Sequence, residues 1–577
     1  MRKLLKYLTG GYMKETVLAP LFKCIEAVLE LFVPTVVAKI IDVGIANGDK
    51  PYICWMCALL AGLGLAGLAF SITAQFFAAK AATGFSAAVG SALFRHIQTF
   101  SYTDLDELGT STLMTRMTSD LSQVQTGVNM TLRLLLRSPF IVFGAMIMAF
   151  TIDVPSALIF AAAIPVLSVV VFGIMLGGMP LYGKVRTGLD KLLRRTRENL
   201  SGARVVRAFC IEDSEISAFR EENDSLTAGQ LTAGRIAALM NPLTFALINL
   251  AIILLIWAGG VRVDSGELSQ GQVVALYNYM SQILVELIKL AGLIITITKA
   301  AACGRRIQSV FDSGEGMTCG TEKSGFEDYE NTVEMRGVSL KYKSASENSL
   351  SGISFTARKG STVGIIGGTG SGKTSLVDLI PRFYDPTEGT VLINGVDAKE
   401  YDLEALRSRI GVVPQKAVLF KGTIRENMQW RDSSADDSEI MRALDIAQAT
   451  DIIEKKEHGL DSMVEQGGTN FSGGQRQRLT IARAIVGSPE ILILDDSASA
   501  LDFATDAALR KALRALKDTT VFIVSQRTSS IMHADKIVVL DDGEAVGIGT
   551  HAELLKSCAV YREIYESQYK KESGVSA

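Results

Sequence analysis

The chain has 577 residues, 48% of them hydrophobic and 21% charged, with 58 basic and 61 acidic side chains and a formal net charge of −3. So much apolar surface excludes an intrinsically disordered chain, and the near-balanced charge excludes a nucleic-acid binder that works by charge alone. Seven scattered cysteines are no disulfide framework, and the length suggests about three domains at roughly 100–200 residues each.

The averages do not hold along the chain. Leu4, Leu5, Tyr7 and Leu8 alternate with Lys3 and Lys6 without an apolar core ending in a cleavage site. This predicts an amphipathic helix on the inner membrane surface rather than a secretory signal. A first span runs from about Thr16 to Ile41 and carries Lys23, Glu26, Glu30 and Lys39. From Tyr52 to Ala79 there are 28 residues without a charge, and from Ile236 to Val261 another 26. Between Ser138 and Pro180 the only charge is Asp153, followed by Val154-Pro155, which reads as two spans joined by a tight external turn. A last span from Gln270 to Ala302 is interrupted by Glu286 and Lys289. Since about 20 apolar residues cross a bilayer, the pattern predicts six spans.

The connections after the second and fourth spans are about 50 residues long, too long for structureless loops, so the helices should continue beyond the membrane. Their expected turning points are Ser101–Gly109 and Ala208–Ser214. Segment 181–235 holds ten Lys or Arg, and the N-terminus adds Arg2, Lys3, Lys6 and Lys14, whereas the loops near 45–51 and 262–269 hold only Lys50 and Arg262. That bias predicts a multi-pass protein of the cell membrane with both termini in the cytoplasm. The expected organisation is an α-helical membrane domain over 1–310, a linker over 311–330, a soluble α/β domain over 331–570 and a tail over 571–577.

Lys23, Glu26 and Glu30 fall on one face of the first span, and Glu286 lies about 24 Å along the last. Glu26, Glu30 and Glu286 are candidates for the acidic lining of a cavity suited to cationic amphiphiles, or else members of interhelical salt bridges. Cys54 and Cys57 sit at an external helix end, without further ligands for a metal.

The soluble half carries the chemistry. The apolar strand Val363–Ile366 runs into Gly367-Gly368-Thr369-Gly370-Ser371-Gly372-Lys373-Thr374 and then into a helical pattern from Ser375. This is a phosphate-binding loop in its strand–loop–helix context. Its backbone N–H groups and the helix N-terminus face phosphate oxygens, Lys373 reaches the β- and γ-phosphates, and the Thr374 hydroxyl ligates Mg²⁺. A second apolar strand, Ile491–Leu494, ends in Asp495, which would hold Mg²⁺, and Asp496, placed as the base for an attacking water. Between them lies Phe471-Ser472-Gly473-Gly474-Gln475 before a helical run, where Ser472 could be an ordinary helix cap.

Phe471–Gln475 resembles the signature motif of ATP-binding cassette (ABC) proteins, and its order relative to the phosphate loop and the Asp495 strand strengthens the resemblance. The resemblance implies that Tyr342 stacks on adenine, that Gln415 touches Mg²⁺ and senses the membrane domain, and that Asp502 lies in the loop crossing a dimer of cassettes. In this family two cassettes sandwich two ATP molecules, so Ser472, Gly473 and Gly474 would act on the partner's nucleotide. The whole chain is similar to an exporter-type half-transporter, a six-span type IV membrane domain fused to an α/β P-loop cassette. Leu113–Asp120 and Arg204–Glu215 stand in the cytoplasmic extensions as coupling helices.

Two positions depart from the family pattern. Asp496 stands where the catalytic carboxylate is normally Glu, and Gln526 stands where the switch residue is normally His. His96, His458, His533 and His551 do not replace it by position. Aspartate is one methylene shorter, and glutamine has no titratable proton. The resemblance is then to the degenerate-site subunit of bacterial heterodimeric multidrug exporters. Such a subunit binds ATP, hydrolyses it slowly, completes the competent site of a second half-transporter and moves drugs, lipids or other amphiphiles out of the cytoplasm or inner leaflet. An ATP-gated, channel-like regulatory protein and a siderophore or nutrient importer on the exporter fold are the other readings.

Overall fold

The computed structural model describes residues 4–314, 317, 320–323, 329–343 and 345–569. Lys3, the expected tail at 571–577 and part of the expected linker lie outside the described residues. The chain divides into two units, Met1–Gln98 with Ser111–Ser313 and Thr99–Thr110 with Gly314–Ala577. The loop 99–110, expected to belong to the membrane domain, thus groups with the second unit.

The first unit is helical. Among the described residues, five helical stretches are long and apolar enough to cross a membrane, including Lys50–Ile97 and Val154–Ser201 at 48 residues each. A bilayer core takes about 20 residues, so each of these two helices extends well past it. Large side chains such as Val169 and Trp257 are 72% and 71% exposed, a pattern suited to lipid and poorly suited to water. The break between the third and fourth spans falls at Asp153, whose backbone is extended and whose carboxylate accepts the Ser156 N–H at 2.9 Å. The N-terminal segment differs from expectation. Its described residues hold a single helical turn, Lys6–Thr9, and Leu4 and Leu8 are buried rather than presented to a membrane surface.

The helix Met13–Lys39 is the sixth candidate span, and its charges explain why apolarity alone does not reveal it. Lys23 pairs with Glu26 at 2.6 Å and donates to Ser71 at 3.0 Å. Arg137, the first residue of the helix Arg137–Ile152, reaches Glu30 at 2.7 Å and Glu286 at 2.6 Å. Ser138 and Lys289 complete the Glu286 carboxylate at 2.7 and 2.8 Å. Three carboxylates and three cations therefore balance across the first, third and sixth spans. Glu26 and Glu286 are members of an interhelical ion network and do not form an open acidic lining. Arg137, which escapes notice just ahead of the uncharged run, is its centre. At the opposite end of the last span, Asp42 accepts from the Ser269 hydroxyl and from Gly271 N–H at 2.7 Å. A side chain at Gly271 would collide with the Ala38 carbonyl and Asp42, so glycine is required there.

The turns between the long helices are also more specific than the helical pattern implied. Lys50–Ile97 ends before a separate short helix, Tyr102–Leu108, opened by a capping box in which Ser101 and Asp104 exchange hydrogen bonds at 3.1 Å. This is the isolated helix at the first turn. It falls at the expected turning point Ser101–Gly109, whereas Leu113–Asp120, expected as a coupling helix, lies in Thr110–Thr115 and the π-helical turn Arg116–Asp120, which lead into the third span. At the second turn the short helix is Ala203–Ala208, and Glu212–Ala238 follows it. The expected 204–215 element is therefore split at Phe209–Ile211.

The second unit contains β1 (Asn331–Leu340), β2 (Leu350–Arg358), β3 (Thr362–Gly367), β4 (Glu388–Ile393), β5 (Val396–Asp397) and β6 (Ile410–Val413). It continues with β7 (Gly422–Thr423), β8 (Met463–Val464), β9 (Ile491–Asp495), β10 (Thr520–Val524), β11 (Lys536–Asp541) and β12 (Glu544–Gly549). An antiparallel sheet has the order β2-β1-β4-β5, and a six-stranded sheet the order β12-β11-β3-β10-β9-β6. In the latter β6, β9, β10, β3 and β11 run parallel. β9 is buried at every residue, which is why it reads as an unbroken apolar run.

Removing one partner from a buried ion network leaves the other charges uncompensated, at a cost of about 3–5 kcal/mol. Arg137→Ala should therefore lower the thermal midpoint of the detergent-purified protein sharply, and adding Glu286→Gln should recover part of the loss. A single variant as stable as the parent would show that the network carries no such load.

Candidate functional site

The carboxyl ends of parallel strands are where α/β sheets build sites, and here three adjacent ends do so. The loop after β3 places Gly370 and Gly372 at φ 85° and 90°. Gly372 caps the helix Lys373–Asp378, and a side chain on it would meet the Ser349 carbonyl oxygen at 2.7 Å. Lys373 folds back on the loop, donating to the Gly367 carbonyl at 3.0 Å and to that of Gly368. The Thr374 hydroxyl donates to Asp495 Oδ2 at 3.0 Å.

These residues border a cleft of about 600 Å³. Thr369, Gly370, Gly372, Lys373, Thr374, Ser375, Gln415, Asp495, Asp496 and Gln526 all line it, so the structure brings together most of the residues singled out from sequence. Gly367 and Ser371 are buried behind the loop, Ser371 only 4% exposed, while Gly368 is exposed. Tyr342 stands beside the cleft. Its hydroxyl donates to Ser375 at 2.9 Å and its ring meets Tyr384 edge-on at 5.1 Å.

Asp496 has a left-handed backbone, φ 45°, and its N–H donates to the Val524 carbonyl at 3.0 Å. The backbone under this carboxylate is therefore tied to β10. Asp495 is raised by burial and by Asp496, against the Thr374 hydrogen bond. Burial lowers Lys373, against the pull of Asp496 and Asp495. The Thr374 hydroxyl and the Asp495 carboxylate, bonded to each other, and the Gln415 amide all line the cleft as hard oxygen donors, a set that fits Mg²⁺.

The signature residues do not line this cleft. Ser472 caps the helix Gly473–Ile485 in a capping box with Gln475, and Phe471 is buried beneath Lys456. Gly473 and Gly474 open that helix. Asp502 likewise caps Phe503–Leu513, accepting from Thr505 N–H and hydroxyl at 2.9 Å each. These placements leave Ser472 and the two glycines at a helix N-terminus, as a phosphate-facing element requires.

Sequence reading missed a second group at the site's rim. Tyr102 of the short helix stacks on Phe383 with ring centroids 4.4 Å apart, and Tyr384 donates to Asp106 at 2.7 Å. Asp378, at the end of the phosphate-loop helix, faces this group. Burial, with Asp495 and Asp106 nearby, pushes its carboxyl up to about 7. The only sequence hint was the Ser101-x-x-Asp104 cap that isolates the short helix.

Two family models match the chain, that of the ABC transporter transmembrane region over residues 16–287 and that of the ABC transporter over residues 350–499. An uncharacterised ABC transporter ATP-binding protein of Mycobacterium tuberculosis (strain CDC 1551 / Oshkosh) is 37% identical over 562 residues, 96% of each chain. An ATP-dependent lipid A-core flippase of Desulfotalea psychrophila is 32% identical over 82% of this chain and 83% of its own. The solved structure of a bacterial Atm1-family ABC exporter with ATP bound superposes with a TM-score of 0.79, covering 96% of this chain and 99% of that one at 23% identity.

The Asp378 carboxyl yields a pH test. Its pKa is raised on folding, so the native state binds a proton more tightly than the unfolded chain, and stability falls as pH rises from about 4 through about 7. Asp378→Asn removes that loss. The nucleotide- and Mg²⁺-free variant should melt about 3–6 °C above the parent at pH 8, with the gap shrinking towards pH 5. Parallel melting curves across this range would contradict the assignment.

Proposed function

The chain belongs to the ABC transporter family, as a fused half-transporter of the exporter type, and from that premise we propose that it is the unequal half of a heterodimeric exporter. On this reading its own site holds ATP and turns it over slowly. Its signature segment, Phe471–Gln475, completes the competent site of a partner half-transporter that carries Glu and His at the corresponding positions. The cargo is an amphiphile, a drug or a lipid, taken from the cytoplasm or inner leaflet. The resemblance of the chain to a lipid A-core flippase supports that class. Both termini and the cassette face the cytoplasm.

The observation that carries the proposal is the pairing of an intact binding apparatus with two altered reaction residues in one cleft. Backbone N–H groups of the phosphate loop and the Lys373 ammonium hold the triphosphate. Thr374, Asp495 and Gln415 would hold Mg²⁺, which neutralises charge between the β- and γ-phosphates when bound. Asp496 would have to orient the attacking water with a side chain one methylene short. Because its N–H is bonded to Val524 O, the backbone does not advance to make up the difference. A misplacement of about 1 Å costs on the order of 100-fold in rate. Gln526 donates to a γ-phosphate without carrying a proton to or from it.

A partner is also consistent with the second cytoplasmic turn. There Val205 and Phe209 are 57% and 73% exposed around the short helix Ala203–Ala208, an apolar tip that suits a docking cleft on another cassette.

The test is gain of function. Asp496→Glu combined with Gln526→His in the full-length chain should raise steady-state ATPase at least about 10-fold. A parent chain that already hydrolyses ATP as fast as the double variant would refute the degenerate-site reading.

A further inference from the structure

The helix Ala559–Tyr569 has no role in the chemistry described so far, yet one end of it reaches the wall of the nucleotide cleft. Its root is fixed. Tyr561 is fully buried, with its hydroxyl 2.8 Å from His551 Nδ1. It packs in a cluster with Leu554, Ile531, Ile537 and Ile366, the last of these in the strand that feeds the phosphate loop. Gln568 lies seven residues further on, two turns along the same face.

There its side-chain amide closes on the loop after β10 with both of its ends. Oε1 accepts from the Thr528 N–H at 2.9 Å and from the Thr528 hydroxyl at 2.8 Å, while Nε2 donates to the Gln526 carbonyl at 2.8 Å. One planar amide thus holds a donor and an acceptor two residues apart, as a neighbouring strand would. Ser525 adds a further tie by accepting the Arg527 N–H at 3.0 Å. Gln526 itself is exposed and lines the cleft. Its backbone is held from behind while its side chain is free to turn towards the nucleotide.

We propose that Gln568 is a positioning residue for the γ-phosphate contact: by clamping Gln526–Thr528 it sets where the Gln526 amide points and ties that sensor to the C-terminal helix. The inference rests on the reading of Gln526 as the residue that meets the γ-phosphate. Any partner that shifts the C-terminal helix would then change how the site distinguishes ATP from ADP, without touching the nucleotide.

The experiment is nucleotide affinity in the full-length purified protein, measured by displacement of trinitrophenyl-ATP with Mg-ATP and with Mg-ADP. The variants are Gln568→Ala, Gln568→Glu, Gln526→Ala and Gln526→Ala with Gln568→Ala. Hydrogen exchange across residues 525–531 is followed in parallel.

Loss of one or two hydrogen bonds corresponds to about 3–10-fold in affinity. Gln568→Ala should therefore weaken ATP about 5-fold while ADP stays within about 2-fold, with faster exchange at Thr528. Gln568→Glu keeps the acceptor but sets a carboxylate against the Gln526 carbonyl. It should show the same split and guards against misfolding in the alanine variant. The double variant should be no worse than Gln526→Ala alone.

Gln568 variants that bind ATP as the parent does while Gln526→Ala loses it would overturn the proposal. So would equal loss of ATP and ADP, which marks a merely structural role. Unchanged ATP affinity in Gln526→Ala would overturn the reading of Gln526 itself, and the proposal with it, whatever happens to exchange at Thr528.

Discussion

Strand β10 hydrogen-bonds to β3 on one side and β9 on the other, and the chemistry of the second unit hangs on that register. Val524 pairs with Ile365 in one neighbour and with Asp495 in the other. Adjacent strands lie about 4.8 Å apart, so three chain segments remote in sequence end within about 10 Å, on the scale of a triphosphate. The phosphate loop leaves β3, the paired aspartates leave β9, and Gln526 follows β10. The Thr374–Asp495 hydrogen bond and the Asp496 N–H to Val524 bond are direct products of this arrangement.

In the proposed function, the same register separates binding from turnover. Most of the grip on the triphosphate comes from backbone N–H groups and Lys373, which do not depend on residue 496, and the side chain at 526 adds a contact to the γ-phosphate. Reaction depends on reach from a backbone that is already tied down. Shortening the side chain at 496 therefore removes reach while leaving charge in place. On the proposed reading such a cassette still closes on ATP, and in a paired transporter the closed state would itself be useful work. The C-terminal helix adds a second constraint, because Gln568 holds the backbone of the other altered position.

Much of this was legible in sequence where the determinants are contiguous. The phosphate loop, the Asp495 strand and the turn at Asp153 are each set by a dozen residues or fewer. What was hidden depends on residues far apart. Arg137 meets Glu30 and Glu286 at separations of 107 and 149 residues, and no local pattern marks an arginine at the edge of an apolar run as the centre of a network. Tyr384 and Asp106, or Gln568 and Thr528, are of the same kind. The first turn lies where the short polar stretch Ser101–Gly109 predicts it, but the coupling helix expected at 113–120 does not: the isolated short helix is Tyr102–Leu108, and the Ser101 cap marks its start.

The central claim is that this chain's own site holds ATP and converts it only slowly. It is tested most directly by a single-turnover measurement on the purified full-length protein, with Mg²⁺ and less γ-labelled ATP than protein, quenched over seconds to minutes. The account predicts that bound nucleotide is recovered mainly as ATP over minutes. Release of labelled phosphate at about 1 s⁻¹ or faster, within the usual range of enzyme turnover, would contradict it.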